Sequence, residues 1–158
     1  MLTRSLLSLL LVACCWLLPA LPANASIFSF SGERPAALGV ENGKLTECPP
    51  SPNCVSSQAE DEDHKIDAIA YETSADEAIG TIATILEDTS NANIITAEDN
   101  YIYAEFTSGL MGFVDDVEFY ANPKDNQIEV RSASRLGESD LGVNRKRIEA
   151  IRRQFKEA

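Results

Sequence analysis

The chain has a single histidine, His64. Any imidazole chemistry, whether a Ser–His–Asp arrangement or general acid–base work, must pass through that one residue. It follows the acidic run Ala59-Glu-Asp-Glu-Asp63 and opens a strand-like segment, a setting that reads as a surface histidine. Also lacking are a G-x-S-x-G turn, a phosphate-binding glycine loop, an H-E-x-x-H helix and a dinucleotide fingerprint. The acidic run lacks the ligand spacing of a calcium loop. Asp115 and Asp116, adjacent on a strand, point to opposite faces and cannot share one substrate. A hydrolase-like enzyme centred on His64 is therefore the alternative reading, behind a non-enzymatic module. No metal and no cofactor are implied.

Positive charge is scarce until residue 131. Residues 26–130 hold 21 acidic and 4 basic groups, whereas residues 131–158 hold 4 acidic and 8 basic. Such an acidic excess argues against nucleic acid and anionic lipid surfaces as primary partners. The expected partner is an unknown protein or a small ligand.

No apolar run reaches the roughly 20 residues that span a bilayer. The longest, Leu6–Leu18, follows one cation, Arg4, and precedes a proline-broken tail ending Ala23-Asn24-Ala25. A basic head, an apolar middle and an A-x-A site describe a secretory signal peptide over residues 1–25. Without a twin-arginine pair, the implied route is of Sec type, to a periplasm or a thylakoid-type lumen, with no membrane span in the mature chain. Leu11-Val12-Ala13-Cys14 also resembles a lipobox, so a lipoprotein through Cys14 is the minor alternative.

Of four cysteines, Cys14 and Cys15 would leave with that segment. Cys48 and Cys54 remain, in Glu47-Cys-Pro-Pro-Ser-Pro-Asn-Cys54, and an even pair in an exported chain reads first as a disulfide. The alternatives are a redox switch or a metal site, yet the C-x5-C spacing is neither C-x-x-C nor rich enough in further ligands.

Residues 26–47, rich in glycine and without a period, read as an extended lead-in, with Phe28 and Phe30 as anchors on the domain surface. Residues 48–158 then read as one α+β domain that begins with the disulfide loop. Ile66, Ala68 and Ala70 suggest a short strand. Ser74 and Glu77 form a capping box before a helical stripe of Ala78, Ile79, Ile82, Ile85 and Leu86. Four strand-like runs follow, with turns at 98–100 and 122–126, and an apolar, glycine-bearing connector at 107–112. Ser139 or Asp140 caps a last helix whose inner stripe is Ile148, Ile151 and Phe155. The order strand, helix, four strands, helix predicts an antiparallel sheet of about five strands, helices on one face and a partly wet second face.

The segment Arg131-Ser-Ala-Ser-Arg-Leu-Gly-Glu-Ser-Asp-Leu-Gly-Val-Asn-Arg-Lys-Arg147 places five basic residues in seventeen. One reading makes it structural, with Arg131 opposite Asp116 or Glu118, and Arg145, Arg147, Arg152 and Arg153 on a solvent face, where Glu149 pairs with Arg153. The other makes Arg131, Arg135, Asp140, Asn144 and Arg145 a candidate anion or partner site at the last helix's N-terminus. A carrier of a small apolar ligand is a further alternative.

Together, Cys48-Pro-x-Ser-Pro-Asn-Cys54-Val-Ser-Ser, the spaced His64, Gly112-Phe-Val-Asp-Asp-Val117 and Arg131-Ser-x-Ser-Arg135-x-Gly137-x-Ser139-Asp140-x-Gly142-x-Asn144-Arg145-x-Arg147 resemble the family catalogued as domain of unknown function 1499. The resemblance covers most of residues 38–155. It implies a small exported or membrane-associated domain, frequent in photosynthetic lineages, with no established activity or cofactor.

Overall fold

The computed structural model describes residues 30–158. The signal-peptide reading, Cys14 and Phe28 lie outside them. Six strands form one antiparallel sheet: β1 (Cys54–Ser56), β2 (Ile69–Ala70), β3 (Ala92–Glu98), β4 (Tyr101–Thr107), β5 (Val114–Asn122) and β6 (Gln127–Ser134). Their spatial order is β1-β6-β5-β4-β3, with β2 also paired to β6. Helices α1 (Ala75–Glu87) and α2 (Val143–Glu157) follow β2 and β6. This is the expected α+β arrangement with one more strand than anticipated. The extra strand, β1, begins at the second cysteine itself, because Cys54, Val55 and Ser56 pair with Ala133, Ser132 and Arg131.

α1 starts where its sequence says. Ser74 Oγ accepts from the Glu77 amide at 3.2 Å, and Glu77 Oε2 accepts from the Ser74 amide at 3.2 Å. Its stripe of Ala78, Ile79, Ile82 and Leu86 is buried against Ile102, Ala104, Val117, Phe119 and Ala121 of the sheet. α2 adds Ile148 and Ile151, with Phe155 partly buried against the same core. Side chains alternate along strands, so the residues between these face the other way. The strand anticipated from Ile66, Ala68 and Ala70 is shorter and differently phased. Ile66, Ile69 and Tyr71 are buried while Ala70 is exposed, because only Ile69 and Ala70 pair with β6.

The second face is not wet. Residues 30–47 lie across it, where Leu45 and Leu38 pack on Tyr101 and Tyr103, and the Gly39 amide donates to Glu118 Oε1 at 2.9 Å. The Leu45 amide donates to Gln58 Oε1, and Gln58 Nε2 returns a bond to the Gly43 carbonyl. The lead-in thus supplies a third layer, and it explains how a strand face bearing Asp116 and Glu118 can be buried.

Cys48 and Cys54 form a disulfide. It ties the end of the lead-in to β1 across a bond that encloses the three prolines. Closing so short a loop contributes about 2 kcal/mol in the chain-entropy account. The double variant Cys48→Ser/Cys54→Ser is expected to lose about that much, read by urea unfolding, and added reductant should take the same amount from the wild type.

Candidate functional site

Three polar assemblies and one apolar end remain once the core is set aside. The first lies on the covered face of the sheet. Arg135, with a side chain only 6% exposed, donates from Nε to both carboxylate oxygens of Asp116 at 3.1 and 2.9 Å. Its Nη2 reaches Asp116 again, the Tyr103 hydroxyl at 3.0 Å, and Glu105. Arg34 of the lead-in donates to the same Glu105 oxygen at 2.7 Å. Burial opposes ionisation of Glu105, but the bonds from Arg34 and Arg135 outweigh it and hold its carboxyl below the usual range. One row along, Arg131 Nη1 lies 3.4 Å from Glu118, which also accepts from the Tyr101 hydroxyl at 2.9 Å. Glu118 is fully buried, and burial pushes its carboxyl up against the lowering effect of those donors. Burial likewise raises Tyr101 and Tyr103 far above an ordinary phenol, so both hydroxyls stay protonated donors. Arg131 Nε has no hydrogen-bond partner among the described residues.

The second assembly sits on the opposite face, under the start of α2. Asn144 is fully buried; its Oδ1 accepts from Ser132 Oγ at 2.6 Å, and its Nδ2 donates to the Asn53 carbonyl at 2.9 Å and to Ser134 Oγ at 3.1 Å. Arg147 donates to Ser132 and Asn144, pairs with Asp115, and lays its guanidinium 4.6 Å from the Phe106 ring centre. Asp140 fills the helix N-terminus: its carboxylate accepts from the Gly142 amide at 2.9 Å and the Asn144 amide at 2.7 Å. The amides that would cradle an anion are already engaged by the chain's own carboxylate.

The five residues considered as an anion or partner site therefore do not converge. Arg131 and Arg135 lie on one face of the sheet, and Asn144 and Asp140 at the start of α2 on the other. Arg145 reaches away from both to the carbonyls of Lys65 and Asp63. Nor do α2's arginines form one solvent face. Arg147 and Arg152 each keep only 11% of their side chain exposed, and Arg152 pairs with Glu149 in place of Arg153 while reaching the carbonyls of Asp67 and Ala68. Arginine's long stem lets it bury along apolar surface and still find acceptors, which an exposed-face assignment overlooks.

His64 is buried at 8% exposure, contrary to the surface position expected of it. The reason is that both ring nitrogens face acceptors: Nδ1 lies 2.7 Å from Asp61 Oδ1 and Nε2 lies 3.1 Å from the Ser51 carbonyl. Burial alone would lower its pKa, but the Ser51 carbonyl and the Asp61 carboxylate raise it above the ordinary value. The His64 amide and ring in turn hold Asp61 below its ordinary value, against burial. The imidazolium form thus clamps the disulfide loop to the acidic run. His64's contribution is complete below its unfolded pKa of about 6.5 and fades as pH rises through the folded value. That of Asp61 is complete above about pH 4 and fades as pH falls. Thermal stability should accordingly gain most from this pair between about pH 4 and 6.5, and His64→Gln should flatten the decline on the alkaline side, as melting curves across pH would show.

Among the described residues no group of three His, Cys, Asp or Glu side chains is placed to hold a metal ion. A polar cleft of about 240 Å³ lies between the lead-in and residues 56–61, lined by Lys44, Thr46, Ser56, Gln58 and Asp61 among others. A more apolar groove of about 400 Å³ runs beside α2, between Phe106, Val143, Ala150 and Ile151.

The last feature is apolar. β4 ends, β5 begins and β6 ends at one end of the sheet, and α2 starts there. The loops at that end expose Leu110 (69%), Phe113, Leu136 and Leu141 (86%), and the first residue of α2 exposes Val143. Leu141 also adopts φ 55°, a left-handed conformation that disfavours a branched side chain. Phe30 stacks on Phe113 with ring centres 5.5 Å apart, and its amide donates to the Met111 carbonyl, so the lead-in enters the domain here. Of this end, the apolar glycine-bearing connector and Phe30 as an anchor of the lead-in were legible in sequence. The partial signal for the rest is charge: residues 107–114 contain no ionisable group.

No curated protein matches the chain. Residues 44–155, from the edge of the lead-in through the cysteine loop, the whole sheet and nearly all of α2, match the family described as protein of unknown function (DUF1499). That span holds Arg135 with its bonding partners Asp116, Tyr103 and Glu105, and Asn144 with Ser132, Ser134 and Asn53; Arg34 lies outside it. On that match the chain belongs to the DUF1499 family.

Proposed function

We propose that the chain is an exported, non-enzymatic binding module of a periplasm or thylakoid-type lumen, and that it makes its contact through the apolar end of the sheet. The observation that carries this is the gathering of Leu110, Phe113, Leu136, Leu141 and Val143, exposed, at one end of a domain whose other large apolar side chains are mostly buried. Exposed apolar side chains gathered at one end of a small acidic protein mark an interaction site. The internal commitment of the acid, base and phenol groups supports the non-enzymatic reading: Asp116, Glu118, Tyr101 and Tyr103 bond to the protein itself. Export by the leader over residues 1–25 is part of the proposal, with lipidation at Cys14 as the alternative anchor; the N-terminus of the cellular protein, read by mass spectrometry, decides between them.

A photo-crosslinking residue placed at 110 in the exporting compartment should give adducts, whereas one at 124, in the turn at the far end of the sheet, should give none. Adducts from both positions alike, or from neither, would remove the apolar end as the contact surface. A second reading, a carrier of a small apolar ligand, has one observation in its favour. The groove beside α2 is lined by Phe106, Ala150 and Ile151 and also by Val143, which belongs to this same end. Co-purified apolar compounds lost on Ala150→Phe would be its signature.

A further inference from the structure

Taking the apolar end as the contact surface, we infer that what it contacts is the surface of an uncharged or zwitterionic lipid bilayer, into whose boundary the loop tips at Leu110, Phe113, Leu136 and Leu141 insert. The inference rests on that reading of the end and adds what occupies it.

Three observations favour lipid. The first is the form of the surface. Leu110 and Leu141, 69% and 86% exposed, sit in two separate loops, and neither lines the clefts described above. A protein partner would have to offer a matched pocket to each projection. The headgroup and acyl boundary accepts any apolar projection, without shape complementarity.

The second is where the charges have gone. Residues 107–114 carry no ionisable side chain in a chain that is 24% charged. In the neighbouring loop, Arg135 is turned inward onto Asp116 and Glu105, and Asp140 is spent on the amides of α2. That leaves Glu138 as the loop's free charge near the tips. The tip at 107–114 and the inward turn of Arg135 thus leave few charges at the loop tips themselves; Glu33 and Lys146 are exposed at their margin, and the acidic run reaches the start of α2 only through the Asp63 carbonyl held by Arg145. The acidic balance of the whole chain repels anionic lipid, so the bilayer in question is neutral overall.

The third is the entry of the chain. The Phe30–Phe113 stack brings the N-terminal segment into the domain at this end. Ahead of Phe30 stands the apolar run Leu6–Leu18, and the eleven residues between them reach at most about 40 Å. A precursor still held by that run keeps this end of the domain within that distance of the bilayer. No described helix is long and apolar enough to cross a membrane, so the contact is insertion of side chains at the boundary and not a span.

The test is flotation of the protein secreted by an exporting host with phosphatidylcholine vesicles, its N-terminus read by mass spectrometry. The wild type should float. Leu110→Asp and Leu141→Asp should each reduce partition about tenfold, about 1.4 kcal/mol apiece, and the double variant about a hundredfold. Lys124→Asp, in the far turn, should leave it unchanged. Near-UV circular dichroism and an intact disulfide establish that each variant is folded. A wild type that stays at the bottom, or variants that float equally well, overturns the bilayer. Protein adducts from position 110 without flotation, or a dimer abolished by Leu110→Asp, would keep this end as a contact surface and remove lipid as its occupant.

Discussion

Replacing Arg135 by alanine is expected to lower the unfolding free energy by about 3–5 kcal/mol, the range for removing one partner of a buried ion pair. The reason is what would be left behind. Asp116 has a side chain only 2% exposed and accepts two bonds from Arg135 Nε and another from its terminal nitrogen. Without the guanidinium, a carboxylate stays buried beside Glu105, its cross-strand neighbour. Out of a typical total of about 5–15 kcal/mol, the loss approaches the whole stability. Arg135→Lys should recover little, since a single ammonium cannot serve Asp116, Tyr103 and Glu105 as a planar fork does. Arg135→Met with Asp116→Leu should recover most of it, because the charge and its partner leave together. Arg145→Ala makes the contrast: its guanidinium bonds only backbone carbonyls of Lys65 and Asp63, so about 1 kcal/mol is expected. Urea midpoints at constant m-value decide, and equal losses for the two arginines would contradict the buried lattice.

Asn144→Leu should cost about 3 kcal/mol. The side chains share one branching pattern, so the main loss comes from partners stranded in a fully buried site, at about 1–3 kcal/mol for each unmet group, and leucine's greater bulk adds to it. Ser132 Oγ loses its acceptor, the Asn53 carbonyl loses its donor, and Arg147 loses one of its three side-chain acceptors. Asn144→Asp keeps the acceptor but removes the donor to Asn53, and it adds a charge near Asp115; it should be at least as damaging. Since Asn53 precedes the second cysteine of the disulfide, the change should also raise amide exchange in Cys54–Ser56, a local readout that a general loss of packing would not single out.

The helices, the hairpin of β3 and β4, and the long pair of β5 and β6 were legible because each carries its own period and its own cap or turn. Ser74 and Glu77 alone locate α1. The five-residue turn left Arg131 opposite Asp116 or Glu118, and the observed register selects Glu118. What sequence could not supply was coverage. Residues 30–47 have no period, so nothing in them announced that they would roof the second face and convert Asp116 and Glu118 from solvated strand residues into buried ones. The anion-site idea failed to assemble for a local reason: Arg131 and Ser132 are adjacent on a strand, so whatever gathers around one is screened by the sheet from the other. β1 escaped notice because three residues beside a proline-rich loop offer no pattern. His64 was placed outside because its Asp61 partner looked like one more solvated acid.

β6 is therefore a two-sided key. Read along one side it presents Arg131 to Glu118; along the other, Ser132 and Ser134 to Asn144. A slip of one residue would turn the guanidinium into the oily layer beneath α2 and hand the carboxylates a hydroxyl in its place. A plain hydrophobic strand can tolerate neighbouring registers at modest penalty; this one has a single position in which both locks turn. The arginines first noticed as a basic patch thus act as an alignment code, and the fidelity of the central strand is written in charge as much as in grease.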